Sequence, residues 1–222
     1  GNANLKPVGY AMNQSSYLAG YVAAAYSTTK VVGTYGGIQI PAVTDFMDGF
    51  YAGAMAWGAE NGVEVKVVGW DKVAQTGQFI GDFTPNSGTS KSIAAALVNE
   101  GADVLFPVGG DQFGASSEAI KEAGIDGVMI GVDKDIAKTS PQYADMVLTS
   151  VEKRMTNAVY DIIAELSAGG AFNGDAYVGT LANGGTGLSP FYDFDSKIDD
   201  ATKTRLAEIQ AGIIAGEIDP LS

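Results

Sequence analysis

The chain contains no cysteine and no histidine. Without cysteine there can be no disulfide, no thiolate metal site and no thiol nucleophile. Without histidine, Ser-His-Asp triads, imidazole general bases and His-bearing zinc sites are excluded, and with them most hydrolytic machinery. Basic residues are scarce too: 13 Lys and Arg stand against 26 Asp and Glu, a formal net charge of −13. A surface of that sign repels phosphate backbones and anionic lipid, so nucleic acid is a poor partner and direct adhesion to a membrane is disfavoured. Long apolar runs are also lacking. The run from Leu18 to Ala25 is interrupted by Gly20 and Tyr21 and falls well short of the ~20 residues that a spanning helix needs. The opening Gly1-Asn2-Ala3-Asn4 reads as a cleaved edge, with no signal-peptide pattern.

What is present is ordinary core material in an alternating arrangement. Of 222 residues, 46% are hydrophobic, enough to bury a core without staples. Short β-rich runs alternate with helical periodicity. Strands are expected at 8–12, 30–34, 63–68, 103–108, 127–132, 145–149 and 177–180. Helices are expected at 15–26, 41–61, from 87 or 90 to 98, 114–123, from 149 or 150 to 168, and from 199 or 202 to 215. The second helix is the best defined. Phe46, Gly49, Phe50, Gly53, Ala54 and Trp57 fall on one face, and the glycines there allow close backbone packing. Repeated strand–helix units predict an α/β fold with a mostly parallel sheet flanked by helices. No repeat of 20–50 residues and no low-complexity linker is evident.

Three loops follow apolar strands: Gly109-Gly110-Asp111-Gln112-Phe113-Gly114, Gly131-Val132-Asp133-Lys134-Asp135, and Thr149-Ser150-Val151-Glu152-Lys153-Arg154. Ligands of open α/β sheets sit outside the carboxyl ends of the strands, so one rim would gather backbone N–H groups, a ring, a carboxylate and an ammonium. The first loop fails as a dinucleotide fingerprint because Asp111 stands where glycine is needed. It fails as a phosphate loop because Ala115 replaces lysine after Gly114. An uncharged, hydroxyl-bearing ligand fits it better than a phosphate does.

Each candidate has a plainer reading beside it. Asp133 can accept two hydrogen bonds from a vicinal diol, or simply form a turn. Asp111 can meet a ligand or cap a helix. Phe113 can stack on a flat ring, or be core. Lys153, in the first turn of a helix, would oppose the dipole at about 0.3–1 kcal/mol, and can be a ligand contact, a solvated charge or a salt bridge to Asp133. Asp45 can point to the same rim, or serve the dipole of its own helix. Asp133 and Asp135 lack the further spaced oxygens of a metal loop. No metal and no cofactor is called for.

The order of the motifs over nearly the whole chain resembles the basic membrane protein family of bacterial lipoproteins. The resemblance rests on Gly36-Gly37-Ile38-Gln39-Ile40-Pro41, Phe46-x-x-Gly49-Phe50-x-x-Gly53, Gly101-Ala102-Asp103-Val104, the glycine loop 109–114, Gly131-Val132-Asp133-x-Asp135, Leu148-Thr149-Ser150-Val151-x-Lys153 and Gly184-Gly185-Thr186-Gly187-Leu188. These proteins are purine nucleoside receptors of ABC importers. The resemblance implies a type I periplasmic-binding-protein-like fold of two lobes, a ribose-gripping aspartate matched by Asp133, a ligand-reaching lysine matched by Lys153, and a stacking phenylalanine for which Phe113 is the nearest match. Gly109, Gly110, Asp111 and Asp45 complete the expected ligand-binding set. No catalysis is implied.

The family's front segment has no counterpart here, including its signal peptide and lipid-modified cysteine. Residues 1–132 are therefore expected to be mainly the second lobe, 133–182 a crossover and returning first-lobe segment, and 183–222 a return to the second lobe. The expected function is capture of a nucleoside, most readily a purine nucleoside, for an ABC permease outside the cytoplasm, with a lipid anchor as the membrane attachment. A sugar or other small-solute receptor, or a ligand sensor on the same fold, are the alternatives. A nucleoside-cleaving or phosphate-transferring enzyme would need a metal, a histidine or a phosphate loop.

Overall fold

The computed structural model describes residues 4–222. A short strand β1 (Val8–Tyr10) leads into helix α1 (Met12–Tyr26). There follow β2 (Val31–Gly36), α2 (Pro41–Asn61), β3 (Lys66–Val68) and a small hairpin, β4 (Trp70–Asp71) with β5 (Thr76–Gly77). The chain continues through α3 (Gly88–Asn99), β6 (Val104–Val108), α4 (Phe113–Ala123), β7 (Val128–Asp133), α5 (Ile136–Thr139) and a 3-10 turn at Pro141–Met146. It closes with β8 (Val147–Lys153), α6 (Met155–Ser167), β9 (Tyr177–Gly179), β10 (Thr186–Leu188), a second 3-10 turn (Tyr192–Lys197) and α7 (Asp200–Ala215).

Six strands form the central sheet in the order β10-β8-β7-β6-β2-β3. All neighbours are parallel except β10, which runs antiparallel to β8. The strands are apolar on both faces because helices cover both. Val104, Phe106 and Val108 of β6 point to one cluster, with α1, α2 and α7; Leu105 points to the other, with α3 and α4. The alternation expected from the sequence is therefore an α/β fold with a mostly parallel sheet flanked by helices.

The glycines of α2 act as their spacing predicts. A Cβ at Gly53 would run into the carbonyl oxygen of Tyr17 on α1, so the two helices touch backbone to backbone. That contact fixes α2 against α1 and aims its N-terminus at the carboxyl edge of the sheet.

Two expectations at the C-terminal side need correction. Val151–Lys153 continue strand β8 rather than opening a helix, and α6 starts only at Met155. The cause is tertiary pairing: Lys153, Glu152 and Val151 are in register with Thr186, Gly187 and Leu188 of β10, and this ladder overrides the local helical spacing. The last two residues of the expected glycine loop 183–187, Thr186 and Gly187, are thereby in a strand. The apolar stripe of α6 is also not buried. Ala158 is its one buried residue, while Met155, Val159, Tyr160 and Ile163 are exposed. The main sheet thus runs past residue 133 to Lys153, and β1 pairs only with β9, parallel and apart from it.

Candidate functional site

Strands β2, β6, β7 and β8 end at one edge of the sheet, and what stands at those ends forms a cleft. Asp133 is the last residue of β7 and Lys153 the last of β8. Lys153 Nζ lies 2.9 Å from Asp133 Oδ1 and 4.9 Å from the centroid of the Phe46 ring on α2. The contact with Asp133 is an ion pair rather than an aligned hydrogen bond, so the buried Oδ1 has no hydrogen-bond donor among the described residues. Lys153 is therefore no first-turn helical cation, and the expected clash with a helix dipole does not arise.

Asp133 sits in an unusual backbone state. Its φ is +67°, and Lys134 N–H donates to Val132 O at 2.8 Å across it. This is the positive-φ γ-turn, a rare and strained form. Such strain costs about 1–3 kcal/mol and persists where surroundings over-determine it, most often at functional sites. Aspartate tolerates this region better than most residues.

The walls come from two further loops. After β6, Gly110 has φ +71°, which turns the chain away beside the strand ends. After the small hairpin, the chain is pinned to the end of β2: Ile80 N–H donates to Gly36 O at 2.9 Å and Gly81 N–H to Gly37 O at 2.8 Å. That holds Phe83 with its ring edge over Gly37, where a Cβ would collide with it. Phe83 is 46% exposed. Phe46, Phe83, Val108, Gly110, Asp133 and Lys153 enclose a small cavity of about 130 Å³. It adjoins a wider concavity of about 560 Å³ toward β1, lined by Tyr10, Asn13, Asp45, Lys153 and Val178 among others. Together they fall within the size of a small-molecule site, roughly 300–1,000 Å³. A larger groove of about 700 Å³ lies between α7 and β10, away from these strand ends.

Four of the residues singled out in the sequence line the cavity together: Asp133, Lys153, Gly109 and Gly110. Asp45 lines the adjoining concavity, where its carboxylate accepts from Asn13 N–H at 3.0 Å and Asn13 Nδ2 at 2.7 Å. It thereby caps α1, which has no side-chain cap of its own.

The other two do not meet the cavity. Asp111 is paired with Lys134 at 3.0 Å. Phe113 is 4% exposed and packs edge-on against Tyr143, ring centroids 5.5 Å apart, so it is core. Helix α4 begins at Phe113 itself, and its first residue turns into the cluster beneath α3. The accessible ring is Phe83, which the sequence reading did not single out. Its signal was a lone phenylalanine in the polar stretch Gly81-Asp82-Phe83-Thr84-Pro85, inside a loop long enough to be functional.

The strand ends of the parallel sheet thus present a strained carboxylate, an ammonium and an open ring at one edge. Solved structures agree at the level of the fold. A solute-binding protein of an ABC transporter system from Aeropyrum pernix K1 superposes with a TM-score of 0.81 at 22% identity, covering 98% of this chain and 66% of that one. A transcriptional activator of the comK gene from Bacillus halodurans superposes at 0.74, also at 22% identity, with 99% and 69% covered.

The model of the Bmp family, described as ABC transporter substrate-binding protein PnrA-like, matches residues 1–218, and the chain belongs to that family. It is a family of binding proteins, not enzymes. The "ABC transporter nucleoside-binding protein BmpA" of Lactococcus lactis is 31% identical over 97% of this chain and 60% of its own length. The "CD4+ T-cell-stimulating antigen" of Listeria monocytogenes is 28% identical over 97% and 59%. The chain thus spans about three fifths of the length of these curated relatives. Among the described residues no helix is long and apolar enough to cross a membrane.

Proposed function

We propose that this chain carries the nucleoside-gripping part of an extracytoplasmic solute receptor that serves an ABC importer. The observation that carries this reading is the pair of strand ends Asp133 and Lys153, which line one cavity with the open ring of Phe83. A ribose diol would donate to the Asp133 carboxylate, which is 38% exposed and engages Lys153 through Oδ1. Lys153 would donate to a ribose or base oxygen, and Phe83 would stack on the base. Base–aromatic stacking is worth roughly 1–3 kcal/mol, and a hydrogen bond to a charged group about 1.5–3 kcal/mol. The Lactococcus relative, named for nucleoside binding, supports the same ligand class.

The reading extends to architecture. Residues 12–153 and 183–222 would form one lobe. Segment 4–10 with α6 and β9 would belong to a second lobe that closes over the ligand. A two-stranded parallel sheet is marginal alone, and the exposed stripe Met155, Val159, Tyr160 and Ile163 has the chemistry of a helix face that packs on more sheet. An ABC permease would be the partner, with a lipid anchor holding the receptor at the membrane.

The test is titration calorimetry with inosine, guanosine, adenosine, cytidine and ribose. Heat with one or more nucleosides and none with ribose is the expected result. Heat with ribose alone would make the protein a sugar receptor, and silence across the panel would remove the nucleoside reading.

A further inference from the structure

We propose that Tyr192 is a positioning residue for Asp133, acting through Asp135. The proposal rests on the reading of Asp133 as a ligand contact. Tyr192 Oη donates to Asp135 Oδ2 at 2.6 Å, from 57 residues further along the chain. Asp135 follows the γ-turn at Asp133 by two residues. Its other oxygen, Oδ1, is buried with no hydrogen-bond donor among the described residues, so the tyrosine hydroxyl is the hydrogen bond that fixes this carboxylate. Lys138 Nζ stands farther off, 3.6 Å from the same Oδ2.

Tyr192 is itself held in a costly state, with φ +47°. A bulky side chain in that region is an outlier that neighbouring contacts must maintain. The segment that carries it also grips β8. Ser189 Oγ accepts from Ser150 N–H at 2.8 Å, and Ser189 O accepts from Thr149 Oγ1 at 2.8 Å. Residues 189–192 therefore touch both β8, the strand that ends in Lys153, and the loop just past Asp133. One short segment sets the two cleft charges against each other. On the N-terminal side the turn is held by β7 within the sheet; on the C-terminal side the buried Ile136 N–H donates to Ser150 Oγ at 3.0 Å, and the Tyr192–Asp135 bond fixes the residue between that anchor and the turn. Loss of the tyrosine hydroxyl leaves only the Ile136 anchor and the exposed Lys134–Asp111 pair on that side, so the turn opens more readily toward negative φ and carries the Asp133 carboxylate away from Lys153.

Tyr192 is 37% exposed, so Tyr192→Phe should fold. Asp135→Asn probes the same bond from the other side. The first readout needs no ligand: NMR hydrogen exchange of the Lys134 amide, which closes the γ-turn. It is expected to speed up on the order of tenfold in both variants, as for a local opening, while amides of β6 and β7 keep their protection. Unchanged Lys134 exchange would overturn the proposal. The second readout is a double-mutant cycle on nucleoside affinity. Tyr192→Phe should weaken binding in the native background and have no further effect in Asp133→Ala, because the residues act as one unit. An equal loss in both backgrounds would show that Tyr192 does not act through Asp133. If the native chain binds no nucleoside, the functional reading fails while the exchange result still decides the clamp.

Discussion

Lys153 and Asp133 terminate adjacent parallel strands, and their charged atoms meet at 2.9 Å at the mouth of the cleft. Both side chains are partly exposed, 27% and 38%, so the pair itself should contribute no more than about 0–1 kcal/mol to folding. Its worth lies in orientation. Lys153→Met is therefore expected to leave stability within about 1 kcal/mol of the native value, since the methionine keeps apolar contact with Phe46. Nucleoside affinity should fall by about 1.5–3 kcal/mol. Urea denaturation and titration separate the two effects. A large stability loss with unchanged affinity would make Lys153 a structural residue.

Phe83 and Phe113 should behave in opposite ways. Phe83→Ala removes an exposed ring and is expected to weaken nucleoside binding by roughly 1–3 kcal/mol, with little change in the unfolding midpoint. Phe113→Ala opens a hole beneath α3 and α4 and should cost about 3–5 kcal/mol of stability. Parallel denaturation and binding curves on the two variants check this. The reverse pattern would restore Phe113 to the site.

Asp103 is a buried acid that does structural work away from the cleft. Its carboxylate accepts from Ser27 Oγ, Thr28 N–H, Thr28 Oγ1 and Thr29 N–H, tying the turn after α1 to the start of β6. Asp103→Ala leaves two backbone N–H groups without their acceptor and should cost about 2–4 kcal/mol. Chemical denaturation of the variant measures this, with m unchanged if only stability moves.

Stability should also fall in alkali. Burial, and then the hydrogen bond that Tyr21 donates to Glu60, push the Tyr21 hydroxyl up to about 12. Between the ordinary tyrosine value of 10.0 and about 12, the unfolded chain has released this proton and the folded chain keeps it, so stability declines as pH rises through that window. Below pH 10 the contribution is complete. Thermal melts of the native chain and Tyr21→Phe across this range should show a shallower decline in the variant. Identical slopes would exclude Tyr21 as a source.

How far the sequence could be read depended on how local each cause was. The bounds of α2, 41–61, follow from Pro41 at its first turn and a one-faced apolar stripe, both of which are local. Asp133, Lys153, Gly109 and Gly110 were legible because strand ends in a parallel sheet share one edge. The extension of β8 through Val151–Lys153 was hidden, since its cause is pairing with β10, about 35 residues away. The choice between Phe113 and Phe83 depended on which way a helix-opening residue turns and on a loop pinned to Gly36 and Gly37. Neither leaves a periodic trace. The exposed face of α6 was unreadable for a related reason: periodicity shows that a helix has an apolar stripe, not what covers it.

A nucleoside gripped by Asp133 should leave its mark on the amide NMR spectra of the native chain and of Asp133→Ala, each titrated with inosine to millimolar concentration. Shifts are expected to be confined to the amides of Phe83, Gly109, Gly110, Asp133 and Lys153 in the native chain, with affinity lowered by at least about 2 kcal/mol in the variant. Shifts confined to the groove between α7 and β10, or equal affinity in the two proteins, would contradict that grip.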